Sequence, residues 1–268
     1  MPPAPLQLAR SETIALQNSL KRPQILKGEK MKLAIISGGS RGLGASLVEQ
    51  HLAAGYTVKE LSRSGKSAVS VKLDLSQPQA VAETVEPLFT ELAGQEWEEV
   101  LLFNNAGLIN PVGVVSDKSF DEIMVNINVN YTSAIILLRA FIGAFQNNDC
   151  PKTIVNISSG AALRGIYGWS LYCGAKAGIE NFVRTIAVEQ AMQNHPIKTL
   201  NIGPGIIDTG MQADIRAVSV EDFPGVDQFV GFKESGALRS PEEVATAIGN
   251  ILASNQESGS RHNIQDFL

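Results

Sequence analysis

The sequence predicts an α/β fold, a doubly wound parallel sheet in a single domain, on three observations. Short apolar runs alternate with amphipathic helical patterns from Lys32 onward. A glycine-rich turn follows the first of those runs. No Pro/Gly-rich linker, internal repeat or low-complexity stretch divides the 268-residue chain. Alternation of this kind puts helices on both faces of a parallel sheet, and right-handed crossovers wind it in both directions.

The elements follow in order. Lys32–Ser37 reads as a buried strand. Gly42–Ala54 carries Leu43, Leu47 and Leu52 at helical spacing. Tyr56–Leu61 and Ala68–Leu73 are the second and third strands, Pro78–Leu92 a helix and Glu99–Phe103 the fourth strand. Ser119 and Glu122 form a capping box that opens a long helix to about Phe145. Thr153–Ile157 is the fifth strand, Ser170–Gln193 a helix and Ile197–Ile202 the sixth strand. Ser240-Pro241-Glu242-Glu243 is a second capping box with proline at the first helical position, opening a helix to about Ala253. A last strand lies near Arg261–Ile264. Asp208–Glu234 is the least regular stretch and is expected to form a mobile lid.

Residues 31–268 are expected to form the domain and residues 1–30 a flexible extension. The first 30 lack the apolar core of a secretory signal. Arg10, Lys21, Arg22, Lys27 and Lys30 stand there against Glu12 and Glu29, which leaves an organelle transit peptide open. Met31, directly before the first strand, leaves open a start placed too early.

Composition narrows the function. The chain is 44% hydrophobic and 18% charged, with 22 basic and 27 acidic residues for a net charge of −5. No global field favours nucleic acid or an anionic membrane. No apolar run approaches the roughly 20 residues of a membrane helix. Cys150 and Cys173 form no CxxC pair, and His51, His195 and His262 are scattered. No metal site or disulfide framework is expected, and the compartment reads as reducing, hence cytoplasmic.

The first strand ends in Ser37-Gly38-Gly39-Ser40-Arg41-Gly42-Leu43-Gly44. Glycine lets backbone approach a pyrophosphate, and the N-terminus of the next helix offers free N–H groups to it. The spacing G-x-x-x-G-x-G differs from G-x-G-x-x-G, but its place between the first strand and the first helix identifies a dinucleotide-binding turn, as in a Rossmann fold. The cofactor is read at the end of strand two, where Leu61-Ser62-Arg63 presents a cation. With Arg41, two guanidinium groups suit a ribose 2′-phosphate and hence NADP(H). Glu60 is the acid nearby that could serve a 2′-hydroxyl, and hence NAD, instead.

Tyr172 and Lys176 lie four residues apart on one helix face. A tyrosine is too weak an acid–base at neutral pH, and a neighbouring ammonium is expected to lower its pKa. Ser159 closes the fifth strand, where its hydroxyl can hydrogen-bond a carbonyl oxygen as charge develops. The ordered set of glycine turn, Asn104-Asn105-Ala106-Gly107, Ser159, Tyr172 and Lys176 resembles the short-chain dehydrogenase/reductase family of the compact type, over about residues 31–268.

That resemblance implies an oxidoreductase acting on C=O or CH–OH groups, with Tyr172 as general acid, Ser159 orienting the carbonyl and Lys176 on the nicotinamide ribose. Asn130, beside Asn126 and Asn128, matches the asparagine that holds a water relay to the lysine. Asn104 or Asn105 matches an asparagine near the adenosine, and Asp74 an adenine-contacting acid, with a plain turn former as its other reading. Pro204-Gly205-Ile206-Ile207-Asp208-Thr209 resembles the segment that fixes the carboxamide, with a plain N-cap as the other reading of Thr209. The cofactor set is then Gly38, Ser40, Arg41, Gly42, Leu43, Gly44, Arg63, Asp74, Asn104, Asn105, Ala106, Gly107, Tyr172, Lys176, Pro204, Gly205, Ile207 and Thr209.

Gly168–Cys173 and Asp208–Gln212 resemble sepiapterin reductases and benzil reductases that form (S)-benzoin. Gly236–Pro241 and Ile264–Leu268 resemble the benzil reductases. The aspartate that anchors pterin in sepiapterin reductases falls on Asn263, with Asp266 nearby. An amide offers one acceptor oxygen where a carboxylate can take two N–H groups. Substrate contacts are expected from Ser159, Trp169, Tyr172 and Met211, with Leu163, Ile166, Tyr167 and Ile206 around them. The expected reaction is NADPH-dependent reduction of a small ketone or vicinal diketone. A pterin side chain, a 3-oxoacyl thioester, or a non-catalytic NADP sensor are the alternatives. The apolar segment Ala134–Phe145 leaves a face for a partner helix, and the resemblance implies a homodimer or homotetramer.

Overall fold

The computed structural model describes residues 31–268. The readings placed on residues 1–30 lie outside them. Seven parallel strands form one sheet: β1 Met31–Ser37, β2 Thr57–Ser62, β3 Ser70–Lys72, β4 Trp97–Asn104, β5 Lys152–Ile157, β6 Lys198–Gly203 and β7 Arg261–Asn263. Their order is β3-β2-β1-β4-β5-β6-β7, so the winding reverses between β1 and β4. In a doubly wound sheet that reversal opens a crevice at the C-terminal strand ends.

The strands read as continuous apolar runs because both faces are covered. Leu33 and Ile35 of β1 pack into one apolar cluster, while Ala34 and Ile36 pack into another on the opposite face. Helices α2 (Pro78–Ala93), α4 (Ser133–Phe145) and α5 (Ser170–Gln190) cover the first face, through Phe89, Phe141 and Ile179. Helices α1 (Gly42–Ala53) and α8 (Pro241–Ala253) cover the second, through Leu47 and Ile248. Both predicted capping boxes form, Ser119 with Glu122 and Ser240 with Glu243.

Three differences from the sequence reading have physical causes. The long helix after Ser119 is interrupted. Helix α3 (Phe120–Ile127) runs into a π-helical turn over Asn128–Thr132 before α4 begins. Asn126 and Asn130, one turn apart there, turn their amides inward to the loop at 108–110. The Asp208–Glu234 stretch contains two short helices, α6 (Gly210–Arg216) and α7 (Val226–Glu234). Their apolar residues pack onto Trp169 and Tyr172 rather than onto the sheet.

The third concerns Phe120–Phe145. These 26 residues, with mean hydropathy 1.3, are long and apolar enough to cross a membrane by length and composition. In the fold the second half of the stretch, α4, covers the sheet. Leu137, Leu138, Phe141 and Phe145 are buried, and Ile135, Ile136 and Ile142 pack around the same cluster. Among the exposed large apolar side chains are Phe120 and Met124 on α3, Val188 on α5, and Met192 just beyond it.

Candidate active site

A cleft of about 1010 Å³ lies at the C-terminal ends of the strands. It is bounded by the glycine turn after β1, the loops after β4 and β5, and the segment after β6. Its volume is at the upper end for a ligand pocket, which suits an extended cofactor with a small second molecule beside it.

The glycine turn is shaped by close backbone approach. Gly38 has φ +69°, and a Cβ there would lie 2.9 Å from Ala106 Cα. A Cβ on Gly44 would lie 2.1 Å from the Gly38 carbonyl oxygen, so helix α1 can start at this point only with glycine. Ser37 Oγ accepts from the backbone N–H groups of Asn105 and Ala106, which ties the turn to the β4 loop. The resulting cradle of backbone and helix N-terminus fits a pyrophosphate.

The two asparagines after β4 separate. Asn105 Nδ2 donates to the carbonyls of Ser37 and Gly38 and lines the cleft. Asn104 turns into the sheet, donating to Asn156, which donates in turn to Asn201. Asn104 is therefore a ladder residue across β4, β5 and β6 and does not line the cleft, while every other member of the predicted cofactor set does.

Arg41 and Arg63 are exposed on the cleft wall. Glu60 is sealed beneath them at 2% exposure, its side chain filling the space a Cβ on Gly39 or Gly65 would need. Glu60 does not line the cleft, and both its carboxylate oxygens are buried without a hydrogen-bond partner among the described residues. Asp74 Oδ1 accepts from the backbone N–H and hydroxyl of Ser76, so the turn-forming reading holds alongside its place on the cleft wall. Thr209 sits at the N-cap of α6 but its side chain makes no capping bond, which leaves its hydroxyl available to the cleft.

Tyr172, Lys176 and Ser159 meet on the cleft floor. Tyr172 and Lys176 are buried on one face of α5, with Lys176 Nζ 5.7 Å from the centre of the phenol ring. That ammonium donates to the Ile157 carbonyl at 2.9 Å. Burial pushes Tyr172 up to about 12, and a hydrogen bond with Ser159 acts against that rise. Burial pushes Lys176 down to about 8, with the Glu180 carboxylate acting the other way. Desolvation dominates the phenol in the protein alone, and the only lowering comes from Ser159, not from the ammonium the sequence pointed to.

Asn130 lies behind this floor rather than on it. Its Oδ1 accepts from Leu108 N at 2.9 Å, and its Nδ2 donates to Leu108 O at 2.7 Å. A Cβ on Gly107 would meet Asn130 Oδ1 at 3.6 Å and Lys176 Nζ at 3.7 Å, so the two side chains flank the same glycine.

Trp169, Met211, Ile166 and Ile206 line the open end of the cleft as expected. Leu163 and Tyr167 do not; they are more than half exposed. The sequence reading missed Ile109, Ile215 and Phe229, which join that wall. Trp169 stacks on Phe223 at 5.2 Å and meets Tyr172 edge-on at 6.0 Å. The only local signal for these contacts was aromatic residues within the irregular stretch. Asn263 and Asp266 do not line the cleft; a Cβ on Gly203 would lie 2.6 Å from Asn263 Oδ1, beside β6. Among the described residues no group of His, Cys, Asp or Glu could hold a metal ion.

A Rossmann sheet with this floor and cradle defines a nicotinamide-dependent oxidoreductase. The sequence pattern described as short chain dehydrogenase matches residues 32–219. The chain is 35% identical over 243 residues to a benzil reductase ((S)-benzoin forming) of Bacillus subtilis, covering 89% of this chain and all of that one. It is 30% identical over 211 residues to the sepiapterin reductase of Rattus norvegicus, covering 70% of this chain and 79% of that one. The crystal structure of the KRED1-Pglu enzyme superposes with a TM-score of 0.73 at 26% identity, over 87% of this chain and 100% of that chain. The chain belongs to the short chain dehydrogenase family.

Proposed function

We propose that this oxidoreductase is an NADPH-dependent carbonyl reductase whose substrate is a small ketone or vicinal diketone of the benzil type, yielding a hydroxy ketone. The observation that carries the reading is the meeting of Tyr172, Ser159 and Lys176 beneath an aromatic wall, in one cleft with the glycine turn. The likeness to benzil reductases over nearly the whole chain supports the substrate class.

Gly38 to Gly44 and the α1 N-terminus would hold the pyrophosphate, Arg41 and Arg63 a 2′-phosphate, and the Pro204–Thr209 segment the carboxamide. The bound cofactor supplies a hydride. Ser159 donates a hydrogen bond to the carbonyl oxygen and holds it beside Tyr172 Oη. Tyr172 protonates that oxygen as it gains charge. Lys176, held by the Ile157 carbonyl, keeps a positive charge under the phenol, and Asn130 fixes the loop around Gly107 and Leu108 that borders it. Trp169, Met211 and Phe229 exclude water and favour a flat apolar substituent.

Asn263 and Asp266 stand off the cleft, which weighs against a pterin anchored at either. The protein is expected to act on a small molecule as a homo-oligomer in the cytoplasm. Oxidation of the reduced cofactor would be followed with benzil, sepiapterin and a 3-oxoacyl thioester, each with NADPH and NADH. Fast turnover of benzil with NADPH alone is the expected result. Preference for sepiapterin or the thioester overturns the diketone reading. Tight NADPH binding with no turnover of any carbonyl would favour a sensor.

A further inference from the structure

The exit of strand β5 is gripped at three consecutive residues by charged side chains from two other elements. Lys176 of α5 holds the Ile157 carbonyl. Glu180, one turn further along α5, accepts from Ser158 Oγ. Arg261 of β7 pairs with Glu180 Oε2, donates to Ser158 Oγ at 3.1 Å, and points Nη2 at the Ser159 carbonyl 3.4 Å away. Glu180 is 2% exposed, and Arg184 pairs with its other oxygen.

The passage for the guanidinium is built. A Cβ on Gly203 would lie 2.8 Å from Arg261 Nη2, so β6 must be bare there for the arginine to reach Ser159. Arg261 Nε is buried without a hydrogen-bond partner among the described residues. A buried ion pair adds little stability over an apolar pair of the same size, so this arrangement is a poor choice for stability alone.

We propose that Glu180 and Arg261 are positioning residues that lock the Ser158–Ser159 exit of β5 to helix α5 and so set the spacing between the Ser159 hydroxyl and the Tyr172 phenol. This rests on the carbonyl reductase reading. Neither residue lines the cleft, so both act through Ser159.

Three variants test it: Arg261→Lys, Arg261→Met, and Glu180→Gln combined with Arg261→Met. Lysine keeps the charge but cannot bridge Glu180 and the Ser159 carbonyl together. The double variant removes the guanidinium together with the carboxylate it pairs with, and Lys176 loses the supporting Glu180 charge. Arg261→Lys and the double variant are expected to fold, with NADPH Kd and carbonyl KM within about twofold of the parent and kcat down about tenfold or more, the scale of a displaced reacting group. Arg261→Met is expected to lose thermal stability as well. Parental kcat in Arg261→Lys or in the double variant would overturn the proposal and leave the pair a purely structural feature.

Should the parent protein reduce no carbonyl, that failure belongs to the proposed reaction. Positioning is then read from Tyr172 itself, by its phenolate absorbance titration in Arg261→Lys, which keeps the Glu180 charge beside Lys176, with Tyr172→Phe as the blank. Its titratable neighbours Lys176 and Cys173 are retained. A displaced Ser159 raises the phenol pKa, and an unchanged titration overturns the proposal.

Discussion

Tyr172 and Lys176 divide their work by burial. Both are held neutral-leaning by desolvation, the phenol protonated well past neutrality and the ammonium released near 8. A protonated phenol is the form that can donate to a carbonyl oxygen. Tyr172→Phe is therefore expected to lower kcat by about 10²–10⁴-fold with NADPH affinity unchanged, checked by steady-state turnover and a binding titration. Lys176 also sets a pH dependence of stability. Its folded pKa of about 8 lies below the ordinary 10.5, so the unfolded chain binds more protons between those values and stability rises with pH across that window. Below about 8 the full cost of the buried ammonium is present. Lys176→Met is expected to melt above the parent at pH ~7, with the gap narrowing towards pH ~10. Thermal scans at both values read it, and a gap that widens with pH would refute the assignment. On the cleft wall, Arg41→Ala and Arg63→Ala should each raise NADPH KM about 10–100-fold while leaving NADH KM in place, as expected when a charge-assisted bond to a phosphate is lost.

At the scale of elements, legibility follows locality. The glycine turn, both capping boxes and the Tyr172–Lys176 spacing depend on neighbours within a turn or two, and each was readable from its own residues. The π-helical turn was not, because the capping box and apolar pattern run straight through Asn128–Thr132. Only the loop at 108–110 shows why Asn126 and Asn130 must both turn inward. The choice between Asn104 and Asn105 was illegible for the same reason, since register with Asn156 and Asn201 decides it. Helices α6 and α7 escaped notice because their packing partner is the loop before α5, far away in sequence. Phe229, tilted against Trp169 at 5.5 Å, makes α7 part of the cleft wall. Phe229→Ala should raise KM for an aryl diketone about tenfold, with a smaller change for an aliphatic one, because an aromatic contact and its apolar area are lost together. Equal effects on both substrates would remove α7 from the specificity wall.

The whole molecule carries its cleft where the strand order reverses, and its unpaired apolar surface elsewhere. Phe120 is 73% exposed and Met124 38% on α3; Val188 is 72% exposed on α5, and Met192, just past its end, 85%. Helices α3 and α5 pack beside one another, so these residues belong to neighbouring elements, and none of them lines the cleft. The sequence pointed to a neighbouring segment, Ala134–Phe145, whose apolar faces the sheet and α2 largely consume. A two-fold contact through α3 and α5 would bury each residue twice, once per subunit, at roughly 1.5–3 kcal/mol for a fully buried large apolar side chain. The proposed homo-oligomer is then expected to sediment at a multiple of the 28.7 kDa chain mass. Phe120→Asp with Met124→Asp should dissociate it, because each carboxylate would be buried without a partner on both sides of the axis. NADPH binding should survive, since the cradle belongs to a single subunit. An unchanged sedimentation profile in that variant would place the contact on another face, and a monomeric parent would remove it altogether.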